Sequence, residues 1–316
     1  MRVKFWGVRG SIPAPIQPQD IEDKIIRALV GAKDMSLSSH EEVVRYVQNL
    51  PYLQRSTTGG NTSCVEVTGD HSEIILDAGS GIRQLGMELM RGPCGQGRGV
   101  IHLLMSHTHW DHIMGFPFFM PAYIPGNRII IYARHPQIEE RFRNQHHPNH
   151  FPVALETMSA HIEFVSLKSD SLFTNGEFNI STIALRHPGG SYAYKIEKDG
   201  RAFIYATDGE YKDLSEAKLQ RYLEFFAKGQ ALVFDAQFTL EDATEKEGWG
   251  HSSSFVGVDI ALRAAIKELI LFHHEPSYND DKLQEIYDKT LHYYQKVRQG
   301  RTLNIIMARE GLELTI

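Results

Sequence analysis

Short apolar segments that end in glycine, proline or polar residues recur along the chain, which is the pattern of buried strands. They lie at residues 2–8, 64–68, 73–76, 100–105, 128–132, 178–185, 191–196, 201–206, 232–235, 268–272 and 303–307. Apolar residues at helical spacing predict helices at 20–30, 39–50, 82–90, 136–143, 255–265 and 279–297. Strands that alternate with helices in this way predict an α/β fold.

Two of the predicted helices lie between the first and the second predicted strand. The segment from about residue 14 to 56 holds the helices at 20–30 and 39–50, and Ser39 followed by Glu42 fits a capping box. We interpret this segment as a helical insertion that covers the sheet edge; a cap over a functional site and a dimer contact are the alternatives. Because no linker, repeat or low-complexity tract is present, residues 1–316 are predicted to form a single domain.

Charge and composition narrow the functional classes. Lys and Arg number 33 against 39 Asp and Glu, a net charge of −6, which disfavours a protein that grips long nucleic acid through many phosphates. Cys64 and Cys94 have no metal-type spacing and indicate no disulfide scaffold. The start of the chain lacks a signal-peptide pattern, and no run approaches the roughly 18 apolar residues of a membrane span. A cytoplasmic protein with no membrane partner is expected.

Four potential metal ligands fall within six positions after the strand at 100–105. They are His107, His109, Asp111 and His112, in the sequence Ser-His-Thr-His-Trp-Asp-His. Histidines two residues apart point the same way in an extended chain, and a following helical turn would present the other two ligands to the same cavity. Imidazole and carboxylate together suit zinc and other divalent metals. A second histidine-rich stretch, 145–152, has two prolines and no carboxylate, so we interpret it as a surface loop, with a lid that faces the substrate as the alternative.

The first of these clusters resembles the His-x-His-x-Asp-His signature of the metallo-β-lactamase superfamily. That resemblance implies an αβ/βα sandwich, with two mixed β-sheets, helices on the outer faces, and two metal ions at one edge of the sheets. It also demands a His, an Asp and a His downstream, each at a strand end. His187, Asp208 and His273 meet this demand, at the ends of the strands 178–185, 201–206 and 268–272.

The resemblance implies seven ligands around two divalent ions. One ion would take His107, His109 and His187, the other would take Asp111, His112 and His273, and Asp208 and a hydroxide would bridge them. Zinc is favoured as the metal, and manganese or iron would suit the same ligands. His274 is the alternative to His273 at its strand end.

His251 is the residue that indicates the reaction. Gly250-His251-Ser252 opens a helix before the last metal-binding strand, which is similar to ribonuclease Z and its phosphodiesterase relatives. The resemblance implies a histidine beside the scissile phosphate, where it could protonate the leaving oxygen. The alternative is a helix N-cap at Ser252 or Ser253 with an incidental histidine beside it. We take His251 and Asp111 as the candidate catalytic residues.

Four further residues are candidates for contacts to the ligands or to the substrate: Asp77, Asn61, Asp235 and His274. Asp77 follows the strand 73–76, and the resemblance implies that it braces the ligand loop, because ligating histidines need an acceptor that orients them. Asp235 ends the strand 232–235 and is expected to support His251.

The predicted activity is hydrolysis of a small cyclic or linear, nucleotide-like phosphodiester, with a second copy in a homodimer as a possible partner. Ribonuclease Z-like processing of RNA 3′ ends is the alternative. Only 208 − 187 = 21 positions separate His187 from Asp208, too few for the arm with which that enzyme grips tRNA. A thioester or lactone hydrolase would keep the same metal site without needing His251.

Overall fold

The computed structural model describes residues 1–168, 172–212 and 215–316 of the protein. Its strands are β1 (Arg2–Gly7), β2 (Cys64–Thr68), β3 (Glu73–Leu76), β4 (Val100–Met105), β5 (Arg128–Ala133), β6 (His161–Ser166), β7 (Phe173–Asn175), β8 (Phe178–Leu185), β9 (Ser191–Lys198), β10 (Arg201–Ala206), β11 (Ala231–Asp235), β12 (Glu268–Phe272), β13 (Asn304–Met307) and β14 (Glu313–Thr315). Its helices are α1 (Pro18–Ala32), α2 (His40–Asn49), α3 (Tyr52–Arg55), α4 (Ile82–Leu89), α5 (Trp110–Ile113), α6 (Ile138–Gln145), α7 (Glu216–Phe226), α8 (Leu240–Glu245), α9 (Ser254–Arg263) and α10 (Asp280–Val297).

Within the described residues the strands form two sheets of seven. One sheet has the order β14-β1-β2-β3-β4-β5-β6, and the other has the order β13-β12-β11-β10-β9-β8-β7. Strands β3 to β6 are parallel to one another, as are β10 to β13, and the other half of each sheet is antiparallel. Because the parallel strands of a half all end at the same edge, the residues that follow them are gathered there.

The two sheets pack face to face across an apolar layer. Phe5 and Leu104 from the first sheet are fully buried in this layer against the second sheet, which contributes Phe203, Val233 and Phe272. The outer face of the first sheet packs on α4 and α6, and the outer face of the second packs on α7, α9 and α10. This order of helices, sheet, sheet and helices confirms the predicted αβ/βα sandwich.

The predicted helices of the insertion lie between β1 and β2. The capping box of Ser39 and Glu42 is present at the start of α2. Lys24 is the buried residue of α1, and its ammonium donates to the Asp280 carboxylate at the start of α10 over 2.8 Å. The contact of α1 with the rest of the protein is therefore narrow. In the described ranges no helix is long and apolar enough to cross a bilayer.

Candidate metal centre

The histidine-rich segment lies directly after β4, at the edge where the parallel strands end. His107 follows the strand and is buried, while Asp111 and His112 lie in the single turn of α5 and are also buried. The candidate ligands therefore lie first in an extended segment and then in a helical turn, which is the backbone arrangement that the sequence predicted. The backbone N–H of His112 donates to the carbonyl of His109 over 3.0 Å, which ties the two parts together.

The second sheet contributes the downstream residues to the same place. His187 follows β8, Asp208 follows β10 and His273 follows β12. Asp208 and His273 have positive φ angles of 56° and 62°. A left-handed backbone is uncommon outside glycine and costs energy, so the surrounding structure must hold these two residues in place.

Asp208 lies between two pairs of histidines. Its Oδ1 is 3.7 Å from Nε2 of His107 and 3.8 Å from Nε2 of His187. Its Oδ2 is 3.2 Å from Nε2 of His112 and 3.4 Å from Nε2 of His273. Each oxygen of one carboxylate thus faces a different pair of imidazoles, which is the arrangement that a ligand shared by two ions requires.

The other two predicted ligands complete these groups. Nδ1 of His109 is 3.0 Å from Nε2 of His187, and Oδ2 of Asp111 is 3.0 Å from Nε2 of His273. Among the described residues, three sets of potential ligand atoms each lie within 4.8 Å of one another. His107, His109 and His187 form the first set, Asp111, His112, Asp208 and His273 form the second, and Asp208, Asp235, His251 and His273 form the third. All seven residues predicted as ligands are therefore brought together, and His273 occupies the cluster in place of its neighbour His274.

The chemistry of this cluster fits divalent cations. Nε2 of His107 is buried and has no hydrogen-bond partner among the described residues, which is costly unless its lone pair is bound. Burial and the nearby His112 hold the pKa of His107 well below its usual range, so this imidazole is neutral and able to act as a ligand. Burial would raise the pKa of Asp208, but His273, His112 and His107 hold it well below its usual range and keep the carboxylate ionised.

Asp77 braces the cluster from behind. Its Oδ2 accepts hydrogen bonds from Nδ1 of His112 over 2.8 Å, from the Ser106 hydroxyl over 2.6 Å and from the Tyr205 hydroxyl over 2.9 Å. Its Oδ1 accepts the backbone N–H of Ser106 over 2.7 Å. Nε2 of His112 is therefore the nitrogen that faces the cluster. Burial would lower the pKa of His112, but Asp111, Asp208 and Asp77 raise it well above its usual range, and a bound cation would take the place of the proton on Nε2.

Two more histidines are oriented by groups that sequence reasoning missed. Nδ1 of His187 donates to the Gly250 carbonyl over 3.0 Å, and Nδ1 of His273 donates to Oε1 of Gln237 over 3.0 Å. Gly250 has a φ of 95°, and a Cβ there would lie 2.2 Å from Nδ1 of His187. Glycine is therefore required for this close approach. Gln237 lies two residues beyond the end of β11, and this position was the feature of the sequence from which its contact with the site could have been predicted.

His251 lies beside the cluster and is held by a buried carboxylate. Its Nδ1 donates to Oδ2 of Asp235 over 2.7 Å and is 3.9 Å from Oδ1 of Asp208. Its ring stacks on the ring of His273 with the centroids 5.1 Å apart. Burial would lower the pKa of His251, but Asp235 and, less strongly, Asp208 raise it to about 9. A divalent cation close to the ring would act in the opposite direction.

The serines after His251 do not cap helix α9 with their side chains. Ser253 is the N-cap residue of α9, but its side chain makes no capping hydrogen bond. The Ser252 hydroxyl donates to the Gly209 carbonyl over 2.6 Å, next to Asp208. The helix start therefore does not account for the histidine at position 251.

The side chains of two candidate contact residues form hydrogen bonds with groups other than the candidate ligands. Nε2 of His274 donates to the Ala308 carbonyl over 2.9 Å, and burial with the charge of Arg9 lowers the pKa of His274 to about 3. Asn61 accepts a hydrogen bond from the Ser80 hydroxyl over 3.0 Å. In the segment 145–152, Nδ1 of His146 is hydrogen-bonded to the Val153 carbonyl, and the Gln145 side chain donates to the carbonyl of Ile113, the residue after His112, over 2.7 Å.

Asp77 and Asp235 form a matched pair, because each is a buried aspartate that accepts a hydrogen bond from Nδ1 of one histidine. Asp77→Asn is expected to weaken metal binding by roughly 10- to 100-fold, since an amide NH2 replaces one of the two oxygens that together accept four hydrogen bonds, including the one that orients His112. Asp235→Asn should leave metal affinity within about threefold of wild type, because Asp235 and His251, although close to Asp208 and His273, are hydrogen-bonded to each other over 2.7 Å and are not among the seven predicted ligands. Competition with a chromophoric chelator measures both variants. Equal metal affinities for the two variants would contradict the orienting role of Asp77.

Comparison with known proteins finds one matching family. The family described as a β-lactamase superfamily domain matches residues 72–274, which span the ligands from β3 to the end of β12. Ribonuclease Z of Haloarcula marismortui is 26% identical over 313 residues, which cover 81% of this chain and 92% of that enzyme.

Solved structures share the fold. The metallo-β-lactamase fold protein YhfI of Bacillus subtilis superposes with a TM-score of 0.64 at 18% identity, over 99% of this chain and 98% of its own. Unliganded yeast PDE1 superposes with a TM-score of 0.61 at 14% identity, over 81% of this chain and 95% of its own. At these identities the likeness concerns the fold alone.

Proposed function

This chain belongs to the metallo-β-lactamase superfamily and is a hydrolase, and from that premise we propose that it cleaves a small, nucleotide-like phosphodiester with two divalent ions. The observation that carries the proposal is the pairing of His251 with Asp235 at the edge of the seven-ligand cluster. An ester with a good leaving group needs no acid beside the metal site, whereas a phosphodiester of an ordinary alcohol does.

The ligand set divides between the two ions as the distances suggest. His107, His109 and His187 would hold one ion, Asp111, His112 and His273 would hold the other, and Asp208 would contribute one oxygen to each. Two such ions lower the pKa of a bound water and neutralise the charge on attacked phosphoryl oxygens. We propose zinc as the metal, with manganese or iron as alternatives that the same nitrogen and oxygen donors accept.

His251 is the proposed proton donor to the leaving oxygen. Nδ1 donates its hydrogen bond to Asp235, so Nε2 is the nitrogen left to deliver a proton, and no described residue forms a hydrogen bond with Nε2. When the bond between phosphorus and the leaving oxygen breaks, the proton on Nε2 passes to that oxygen and the product leaves as an alcohol. Asp235 keeps the ring in this orientation and favours its protonated form.

Asp111, the other candidate catalytic residue, contributes charge and not a proton. Burial would raise its pKa, but His112 and His273 hold it well below its usual range. The backbone N–H of Ser11 adds a hydrogen bond of 2.7 Å to its Oδ2. A carboxylate held in this way stays ionised through the neutral pH range and fixes the two imidazoles that face it.

Exposed tryptophans beside the site support a substrate with a flat ring. Trp110 directly follows His109 and is 75% exposed, and Trp249 precedes Gly250 and is 63% exposed. Large aromatic side chains are costly to leave in water and are the usual platforms on which nucleobases stack. Their positions next to His109 and His251 favour a nucleobase on the substrate.

Trp249→Ala is expected to raise KM for a nucleotide diester by about tenfold, because stacking on an aromatic ring contributes roughly 1–3 kcal/mol per base. The kcat should change little, since the ring does not act on the phosphorus. Trp249→Phe keeps an aromatic face and is the matched control, with a KM close to that of wild type. Steady-state kinetics on a cyclic nucleotide and on dimethyl phosphate, which has no ring, separate the two effects; equal losses on both substrates would refute base stacking.

Ribonuclease activity is the second candidate, and its support is the similarity to ribonuclease Z. Two features disfavour it here. Between His187 and Asp208 the chain forms only the β9–β10 hairpin, whose turn consists of Asp199 and Gly200. The net charge of −6 provides little attraction for a long polyanion.

A substrate comparison tests the proposal. Metal-loaded protein is assayed in parallel on a nitrophenyl phosphodiester, on a thioester and on a lactone. The proposal expects kcat/KM to be highest for the phosphodiester. Preferred turnover of the thioester or the lactone would overturn it, and preferred cleavage of a tRNA precursor over small diesters would transfer the assignment to the ribonuclease.

A further inference from the structure

The first helix of the insertion turns its apolar side chains towards solvent. Ile21, Ile25, Ile26, Leu29 and Val30 of α1 are between 45% and 67% exposed. On α2, Val43, Val44 and Val47 are between 37% and 42% exposed. Aliphatic side chains on an amphipathic helix normally face the core, so this orientation reverses the expected one.

Polar contacts attach α1 to the protein on its opposite side. The buried ammonium of Lys24 donates to Asp280, and the exposed guanidinium of Arg27 donates to Asp281 over 2.9 Å. The Tyr46 hydroxyl of α2 donates to the Ala28 carbonyl of α1. The apolar face is therefore directed outward by fixed contacts on the other side of the helix.

The apolar face is large for a monomer. Eight aliphatic side chains that are one third to two thirds exposed approach, in sum, the area on the order of 800 Å² that one partner contributes to a standard protein interface. The largest patch on a monomeric protein is typically about 300–600 Å². An interface of standard size would therefore draw on the exposed side chains of both α1 and α2.

The spacing of apolar and charged residues along α1 indicates which kind of surface would cover its apolar face. Glu22, Ile26, Leu29 and Lys33 follow one another at intervals of four, three and four, so they lie along one seam as in a coiled coil. Reversing the direction of the helix exchanges Glu22 with Lys33 and Ile26 with Leu29. In an antiparallel pair of α1 helices, apolar residues would therefore face apolar residues. At each end of the pair, a carboxylate would face an ammonium.

We propose that α1 pairs with α1 of a second copy of this chain in an antiparallel, two-fold symmetric dimer. A symmetric contact uses the same surface twice, and the Glu22–Lys33 pair would form at both ends. Among the described residues, the carboxylate that pairs with the Lys33 ammonium is that of its exposed neighbour Asp34, 3.9 Å away, and the Lys33 side chain is itself exposed. A membrane surface fits less well, because residues 18–49 carry six acidic and four basic residues, whereas membrane-binding helices are rich in Lys and Arg.

A charge exchange tests the pairing in the full-length chain by sedimentation equilibrium. Glu22→Lys and Lys33→Glu alone are each expected to raise the dimer dissociation constant by about tenfold or more, because each change places like charges at both ends of the contact. The double variant Glu22→Lys/Lys33→Glu restores both pairs and should return to within about threefold of wild type. Glu140→Lys, an exposed glutamate on α6, is the matched control and should leave the constant unchanged.

Leu29→Glu provides the second arm of the test. Because Leu29 is 67% exposed, the substitution should preserve the circular dichroism spectrum and yet give a monomer at concentrations where wild type is dimeric. Wild-type protein that is monomeric across the micromolar range would overturn the proposal. So would a dimer that Leu29→Glu leaves intact, or a double variant as weak as the single ones. Binding of the monomer to anionic vesicles would assign the face to a membrane instead.

Discussion

Asp208→Ala is expected to lose bound metal and essentially all hydrolytic activity. Its carboxylate faces His107 and His187 with one oxygen and His112 and His273 with the other, so its loss removes one donor from each set. Loss of an outer contact to a ligand typically costs about 10- to 100-fold in metal affinity, and loss of a shared ligand should exceed that. Elemental analysis after gel filtration should find fewer than two metal ions per chain.

Asp208→Asn is the matched control for folding, because an amide can keep the hydrogen bond with the Thr207 hydroxyl. It should fold like wild type and still bind metal poorly, since the negative charge is gone. An Asp208→Ala protein that retains two metal ions per chain would show that this carboxylate is not shared between the ions.

His251→Ala is expected to lower kcat on a diester of an ordinary alcohol by about 10²- to 10⁴-fold, the usual contribution of a positioned general acid. The metal content should remain that of wild type, because His251 is assigned to proton transfer and not to ligation. The loss should be much smaller for a nitrophenyl leaving group, which departs without needing a proton. Comparing the two leaving groups therefore distinguishes proton donation from a structural contribution.

Asp235→Asn supplies the companion measurement to His251→Ala. Asparagine can still accept a hydrogen bond from Nδ1 of His251 but no longer stabilises the protonated ring, so the alkyl diester should again lose more rate than the nitrophenyl diester. His251→Ala with wild-type activity on both diesters would remove the residue from the mechanism. Equal losses on both would assign it a role in shaping the site.

The elements that place the site follow from local patterns in the sequence. The run 100–105 is apolar and is followed at once by His107, and the strands ending before His187, Asp208 and His273 are equally clear. Because parallel strands end at a common edge, residues after them converge even when they are far apart in sequence. This is why the ligand cluster could be anticipated before its geometry was known.

Side chains that act through another residue were harder to anticipate. Gln237 and Tyr205 reach His273 and Asp77, and their roles depend on which strands are neighbours and which way each side chain points. The edge strand β6 was not predicted either, because most of its residues are only half-buried and its apolar pattern is weak. The helix predicted from residue 136 begins at Ile138, since Gln137 has a φ of 59°.

The insertion shows a different limit of pattern reasoning. Periodic apolar residues correctly indicated helices near 20–30 and 39–50. Periodicity shows that one face of a helix is apolar, but not what that face contacts. In α1 the buried residue is Lys24, which pairs with Asp280, while the isoleucines face outward.

The central claim is that the seven-residue cluster holds two ions that together support phosphodiester hydrolysis. The most direct measurement is a titration of chelator-treated protein with zinc or manganese, following bound metal and turnover of a nitrophenyl phosphodiester in the same samples. The account predicts no turnover without metal and a maximum at two ions per chain. Full activity without metal, or two bound ions with no diester turnover, would contradict it.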